Sequence, residues 1–308
     1  MNVRPATHAG SWYSNDPRVL KNQIQNYATP NPIKGARILI GPHAGYTYSG
    51  ERLAETFGVW DSTSAKRIFL LGPSHHVYFK NNVLLSPFDA YQTPFGDLPV
   101  DTATIKELLK NKTFKLMSEE VDEDEHSFEM HAPFIYHQGH KSGNLPKIIP
   151  ILISGLDLNL QKNLVEALYP YLSNEENHFV ISSDFCHWGS RFGYTKVISN
   201  KDVTFDNIDQ NLTSLKYKPK DIEIYKSIEL LDKLALSIAS EGSSQKWIEY
   251  INTTGNTICG QKPVSIILQL LEKYGSEEGF NWIGYSQSNQ AKYSRDSSVS
   301  YASGYVKL

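Results

Sequence analysis

Short apolar runs that end in polar, glycine-containing turns recur along the chain and constrain its fold more than any other feature. Three runs are each followed at once by such a turn, in residues 36–45, 67–76 and 178–189. A fourth run, residues 147–153, ends in Ser-Gly. Runs of this length that are nearly continuous in Ile, Leu, Val and Phe are typical of strands covered on both faces of a sheet.

Helical patterns separate these runs. Apolar residues recur at a spacing near that of an α-helix in residues 18–27, 51–60, 102–109, 160–169, 222–239 and 263–274. Alternating strands and helices predict an α/β protein with three α/β/α layers and a central mixed, mostly parallel sheet. Two aromatic-rich stretches, residues 280–287 and 297–306, are predicted to add antiparallel strands to it.

The domain organisation is predicted to be simple. No Gly/Ser/Pro-rich linker or internal repeat divides the chain, so we predict one domain over residues 1–308. Residues 199–221 are polar and lack a clear period, which predicts a surface insertion. The acidic run at residues 122–125 is interpreted as a solvated face or a helix N-terminus.

Composition excludes several classes of protein. With 30 Lys and Arg against 33 Asp and Glu, nothing indicates a nucleic-acid partner. No apolar run approaches the about 18 residues of a membrane span, and the N-terminus lacks an apolar signal segment. Two cysteines exclude a disulfide framework, which fits a reducing compartment. We therefore expect a cytoplasmic protein, with the nucleus as a further location, and no bound nucleotide or haem.

Two histidines stand at the predicted strand ends. Ligands of open α/β sheets bind at the carboxyl ends of strands. His43 and His75 each follow a Gly-Pro turn element at such an end, so we predict that they share one site. His76 is adjacent to His75 and is predicted to support the site from behind.

The third turn and a later cysteine add further candidates. Asp184 and His187 are three residues apart and would share a face if the turn opened a helix, with the carboxylate orienting the imidazole as a general base. The alternative is a turn in which Asp184 is an N-cap. Cys259 precedes the helix at 263–274, whose N-terminus would lower the thiol pKa. Cys259 is either a third metal ligand or a small buried apolar residue.

Two further residues are predicted to line the pocket or support its ligands. His126 and Glu129 are three apart and would share one face of a helix. Their spacing differs from the metal-binding HExxH pattern, in which two histidines are four residues apart.

Seven segments, in chain order, are similar to one known family: HAGSWY, GPHAGYTYSG, RIFLLGPSHHV, DEDEHSFEMHAPF, ISSDFCHWG, NTICG and DSSVSYASGY. The chain resembles the Memo family, and its fungal branch in particular, from about residue 8 to residue 305. The resemblance implies a fold similar to class III extradiol dioxygenases. Those enzymes hold non-haem Fe(II) with two histidines and a glutamate, and use another histidine as acid and base.

The resemblance assigns roles to residues of this chain. His43 and His75 match the two histidine ligands, and Cys259 falls where the glutamate would be. His187 matches the acid/base histidine, with Asp184 beside it. The resemblance also implies that Trp12 and Tyr48 line the pocket.

The cysteine changes the expected chemistry. A thiolate makes the ligand set softer, which favours copper, especially Cu(I), while iron stays open. We therefore expect one iron or copper ion per chain, without catechol ring opening.

The resemblance implies two functions of different classes. One is a metal-dependent redox protein linked to reactive oxygen, metal homeostasis and signalling. The other is a non-catalytic adaptor whose vestigial pocket binds a small molecule or a phosphotyrosine-containing protein partner.

Overall fold

Strands and helices alternate along residues 1–215 and 221–308, which the computed structural model describes. The α-helices are α1 (Pro17–Asn26), α2 (Tyr46–Val59), α3 (Thr102–Leu108), α4 (Glu119–Asp124), α5 (Ala132–Ser142), α6 (Leu158–Leu172), α7 (Ile208–Asn211), α8 (Ile224–Glu241), α9 (Ser244–Thr254) and α10 (Gln261–Tyr274). Short 3-10 helices span Ser62–Ser64 and Ser190–Phe192. The strands are β1 (Val3–Arg4), β2 (Ala36–Gly41), β3 (Arg67–Pro73), β4 (Val83–Leu85), β5 (Ala90–Thr93), β6 (Gly96–Pro99), β7 (Phe114–Leu116), β8 (Lys147–Ile153), β9 (Asn177–Ser182), β10 (His187–Trp188), β11 (Lys196–Ile198), β12 (Leu212–Ser214), β13 (Asn281–Gln287) and β14 (Ser298–Lys307).

A mixed sheet forms the centre of the molecule. Its strand order is β10-β14-β2-β9-β3-β8-β4-β7, with β13 paired to β14. The central strands β2, β9, β3 and β8 are parallel, and every residue of β2 and β9 is buried. The two C-terminal strands pair in antiparallel fashion, as predicted, and β14 joins β2.

Helices cover both faces of this sheet. The connection from β2 through α2 to β3 crosses β9 in one direction, and the connection from β8 through α6 to β9 crosses β3 in the opposite direction. Since such crossovers are right-handed, α2 and α6 lie on opposite faces. Helix α5 packs on α2, while α9 and α10 form the layer that contains α6. The predicted three-layer α/β/α fold is confirmed.

The helix boundaries differ from the sequence pattern at several places. Helix α2 begins at Tyr46 rather than at residue 51, and of its added residues Tyr46, Ser49 and Gly50 are buried while Thr47 and Tyr48 stay exposed. Helix α6 continues through Pro170 to Leu172.

Helices α4, α5 and α9 were not predicted. Acidic residues obscure the apolar period of α4, and Pro and Gly interrupt that of α5. Helix α9 contains neither Pro nor Gly, and its Trp247, Tyr250 and Ile251 have a helical spacing that could have predicted it. No helix within residues 1–215 and 221–308 has the length and apolar character that crossing a membrane requires.

The predicted insertion at residues 199–221 is only partly described. Its first part contains α7 and β12, and β12 pairs with β11. Residues 216–220 of this stretch lie outside the described residues. The insertion therefore stays a prediction.

Candidate functional site

The predicted site lies at one edge of the sheet, where three parallel strands end together. Gly41 of β2 is level with Ser182 of β9, and Leu71 of β3 is level with Ile181. The turns that follow these strands line a cavity of about 760 Å³. This is the position that an open α/β sheet offers to ligands.

Three potential metal ligands meet at this edge. One ring nitrogen each of His43 and His75 and the Sγ atom of Cys259 lie within 4.8 Å of one another. The Cys259 Sγ is 3.3 Å from Nε2 of His43, and the two imidazole rings meet edge to face with centroids 4.9 Å apart. The structure thus brings together the three residues that the sequence singled out.

Hydrogen bonds fix the orientation of the His43 ring. Ser182 Oγ donates to the Ser127 carbonyl at 2.6 Å, so its lone pair accepts from His43 Nδ1 at 2.7 Å. The proton therefore resides on Nδ1, and the Nε2 lone pair faces Cys259. Burial lowers the pKa of His43 well below its usual value, so the ring is neutral.

A buried carboxylate fixes the His75 ring in the same way. His75 Nδ1 donates to Glu125 Oε2 at 2.7 Å, and the His75 backbone N–H donates to Glu125 Oε1 at 2.7 Å. Burial alone would raise the Glu125 pKa, but the hydrogen bonds and charge of His75 lower it to about 2. A carboxylate behind an imidazole is the usual support for a metal-binding histidine, because it leaves Nε2 free.

The acidic run that contains Glu125 is not the solvated face or simple helix N-terminus predicted from sequence. Glu125 is 1% exposed and Asp122 is fully buried. Asp122 accepts from Arg4 Nε at 3.0 Å and from the hydroxyl of Tyr91. These partners come from distant strands, which a local charge pattern does not reveal.

Cys259 does not have the acidic thiol expected from a helix N-terminus. Helix α10 begins at Gln261, with Gly260 as its N-cap. Burial and the nearby Asp184 carboxylate raise the pKa of the Cys259 thiol. Desolvation outweighs the helix dipole here, so the predicted lowering of the pKa is wrong. A bound cation would be needed to hold the thiolate at neutral pH.

The expected pairing between Asp184 and His187 is also wrong in its geometry. The turn opens the short strand β10 rather than a helix, and His187 Nδ1 donates to the carbonyls of Phe185 and Thr257 at 2.9 and 3.0 Å. Asp184 Oδ1 instead accepts from the His43 backbone N–H at 2.9 Å, and Oδ2 lies 3.6 Å from His43 Nε2. Backbone carbonyls therefore orient His187, whose Nε2 stays available.

Aromatic rings and a further imidazole form one wall of the cavity. The ring of His126 stacks on that of His75 with centroids 4.1 Å apart. The ring centroid of Trp12 lies 4.5 Å from that of His126. Burial lowers the pKa of His126 to about 3, so this ring is neutral at physiological pH. Tyr48 lines the cavity and is 57% exposed.

Two predicted pocket residues lie elsewhere. His76 is exposed, with its ring centroid 6.3 Å from that of His126. Glu129 is buried. Its Oε1 accepts from Arg4 Nη1 at 2.5 Å, and its Oε2 accepts from the Tyr13 hydroxyl at 2.9 Å. Residues 127–131 form turns rather than a helix, so Glu129 does not share a face with His126.

Four residues at or behind the cavity were missed by sequence reasoning. Glu125 and Ser182 orient the two candidate histidine ligands, while Arg191 and Tyr301 line the cavity. Ser182 could have been found from its position at a strand end. The acidic run disguised Glu125, and Arg191 carries no recognisable local pattern. Tyr301 lies in the segment DSSVSYASGY, which offered a signal that could have found it.

Comparison with known proteins agrees with the motifs. A family model described as Memo-like protein matches residues 4–305. The chain is 40% identical to the MEMO1 family protein MHO1 of Saccharomyces cerevisiae, with both chains covered completely. It is 41% identical to MEMO1 family protein C4H3.04c of Schizosaccharomyces pombe, covering 97% of each chain, and 38% identical to Protein MEMO1 of Homo sapiens, covering 99% of this chain and 97% of the relative. On this evidence the chain belongs to the Memo-like protein family.

Proposed function

We propose that the protein binds one iron or copper ion through His43, His75 and Cys259. The observation that carries the proposal is the convergence of three ligand atoms within 4.8 Å. Both imidazoles have Nδ1 committed to a fixed acceptor, Ser182 or Glu125, which leaves Nε2 as the metal-binding atom. Such prior orientation lowers the cost of binding.

The ligand set favours these metals over harder ions. The thiolate is a soft ligand, which suits Cu(I), and imidazole suits both copper and iron. An ion would replace the Cys259 proton that burial otherwise retains. The same residue argues against ring-opening dioxygenase chemistry, because it stands where the carboxylate of the 2-His-1-carboxylate triad would be.

A redox role linked to reactive oxygen, metal homeostasis and signalling follows from such a centre. The bound metal would supply electron transfer to O₂ or a small molecule, since three protein ligands leave coordination positions open. A ring nitrogen of His187 lies within 4.8 Å of Cys259 Sγ, and its Nε2 would serve as the proton donor or acceptor because Nδ1 is bound to backbone carbonyls. The Trp12 and His126 rings contact each other and form one wall beside it. We propose this role for the cytoplasm and nucleus, where Cys259 stays reduced.

Metal analysis of protein purified without oxygen tests the proposal. We expect about one equivalent of iron or copper in the wild type and a large loss in His43→Ala and in Cys259→Ser, since each removes one of three ligands. His137→Ala is the matched control, because His137 lies on α5 against a different cavity. Equal metal content in all four proteins would reject the metal centre.

The alternative is an adaptor that binds a phosphotyrosine-containing partner in the same pocket. It is favoured by Arg191, which lines the cavity and stacks on Phe192 at 4.9 Å. Within the part of the chain that the structure describes, no salt bridge neutralises Arg191. A free guanidinium suits a phosphate group.

Oxygen consumption separates the two functions. With ascorbate as two-electron reductant, we expect metal-loaded wild type to reduce O₂ to H₂O₂ and His187→Ala to do so more slowly. An adaptor would instead be inert toward O₂. It would bind a phosphotyrosine peptide without metal and lose about 10-fold or more in affinity on Arg191→Ala, as for a charge-assisted hydrogen bond.

A further inference from the structure

Asp232 of α8 is a fully buried carboxyl group that lies behind the candidate metal centre. Its position is between two loops that are distant in sequence. One loop carries Asp184 and His187, and the other carries Cys259.

The Asp232 carboxyl group binds both loops directly. Its Oδ1 accepts from the Cys186 backbone N–H at 3.3 Å and from Asn256 Nδ2 at 3.1 Å. Its Oδ2 accepts from the Tyr285 hydroxyl at 2.7 Å. Cys186 directly precedes His187, and Asn256 is three residues before Cys259.

A second residue joins the same two loops on the other side. Thr257 Oγ1 accepts from the His187 N–H and donates to the His187 carbonyl, both at 2.7 Å. The Thr257 carbonyl also accepts from His187 Nδ1 at 3.0 Å. The loops therefore form one unit, and Asp232 anchors this unit to α8.

A carboxyl group at this buried position is not expected to stabilise the fold. The donors to Asp232 are a backbone N–H, an amide, a phenol and the Ser300 hydroxyl, all of them neutral. Burying a carboxyl group among neutral partners is costly, and a well-packed apolar residue often stabilises a fold as well or better. What Asp232 does provide is a fixed link between the loops, since its Oδ1 accepts from both of them while its Oδ2 is held by the Tyr285 hydroxyl of β13.

We propose that Asp232 is a positioning residue that holds the side chains of Cys259 and His187 at fixed positions relative to the His43 ring. This inference rests on the proposed metal centre for its function, but the positioning itself is a property of the metal-free chain. It accounts for the 3.3 Å approach of Cys259 Sγ to His43 Nε2, because the Cys259 loop is tied down only three residues earlier.

Two measurements on Asp232→Leu and Asp232→Asn test the proposal. Alkylation of Cys259 in metal-free protein, followed by mass spectrometry of its peptide, reports how firmly the loop is held. Competition with a chelator under anaerobic conditions reports Cu(I) affinity. We expect Asp232→Leu to speed alkylation several-fold and to weaken Cu(I) binding by about 10-fold, the lower end for loss of a supporting residue. Asp232→Asn keeps Oδ1 as an acceptor and should stay near wild type.

Controls separate positioning from general damage. Asp101→Asn alters a buried carboxyl group that caps α3 and binds Arg67 away from the site, so it should change neither readout. Unchanged alkylation and affinity in folded Asp232→Leu would overturn the proposal. Should that variant fail to fold, Asn256→Ala removes the link to the Cys259 loop alone, and unchanged alkylation there would overturn it equally. Faster alkylation in a chain whose wild type binds no metal would keep the positioning role and reject the metal centre.

Discussion

Replacing Arg4 with Met will lower the free energy of unfolding by about 3–5 kcal/mol, the usual result of removing one partner of a buried ion pair. Arg4 Nε lies 3.0 Å from Asp122 Oδ1, and Nη1 lies 2.5 Å from Glu129 Oε1. Arg4 also donates to the Asp122 and Glu125 carbonyls at 2.7 and 2.8 Å. Met retains much of the side-chain volume, so the loss reports the two carboxylates left without a cation together with the backbone carbonyls left without their donor. Urea denaturation at neutral pH gives the value.

Arg67→Met is the matched control. Arg67 pairs with Asp101 at 2.8 Å, but its side chain is 32% exposed. A pair that remains in contact with water contributes only about 0–1 kcal/mol. Equal losses in the two variants would contradict the prediction, because they would mean that burial of the Arg4 partners carries no penalty.

The pH dependence of the free energy of unfolding tests the same group of buried charges around Arg4. Burial would raise the Glu129 pKa, but hydrogen bonds from His8 and Arg4 and the Arg4 charge lower it to about 2. A glutamate in the unfolded chain has a pKa of about 4.3. Because the Glu129 pKa is lower in the folded chain, this residue stabilises the fold above that pH. This contribution is lost as the pH falls from about 4 to about 2, and Arg4→Met should weaken the slope in that window.

If the proposed metal centre is present, changing Glu125 to Gln will weaken its iron or copper binding by about 10–100-fold, as expected when the group supporting a histidine ligand is altered. The Gln side chain keeps an oxygen acceptor but lacks the charge that strengthens the bond to His75 Nδ1. With that oxygen in place of Oε2, its amide N–H faces the His75 backbone N–H, which donates to Glu125 Oε1 in the native protein. Anaerobic titration against a chelator of known affinity measures the change.

The comparison for this variant is Glu119→Gln. Glu119 belongs to the same acidic region but is exposed and accepts from Asn2. We expect no change in metal affinity there. If Glu125→Gln matched both Glu119→Gln and the wild type, the carboxylate would have no role behind His75.

Local sequence predicted the strand ends and the residues on them, because both depend on short-range patterns. Apolar runs followed by turns located His43, His75 and Asp184 at one sheet edge. Several of the failures involve distant partners. One of the two carbonyls that orient His187 belongs to Thr257, which is 70 residues away along the chain.

The two wrong electrostatic expectations have the same origin. The helix that follows Cys259 predicts a lowered thiol pKa, whereas burial and the Asp184 carboxylate raise it. The acidic neighbours of Glu125 predict a solvated carboxylate, whereas the folded chain buries Glu125 and gives it a hydrogen bond from His75 Nδ1. Burial and long-range pairing are products of the tertiary fold, so neither can be obtained from spacing along the sequence.

The wide separation of the candidate ligands has a consequence for stability. Cys259 and His43 are 216 residues apart in sequence, and their side chains meet only in the folded chain. An ion held between them would bind the folded chain and not the unfolded one, so it would stabilise the fold by mass action. At 100 times its dissociation constant, such an ion would add about 2.7 kcal/mol to the free energy of unfolding. The supply of metal in the cell would then set the lifetime of the folded protein as well as its activity.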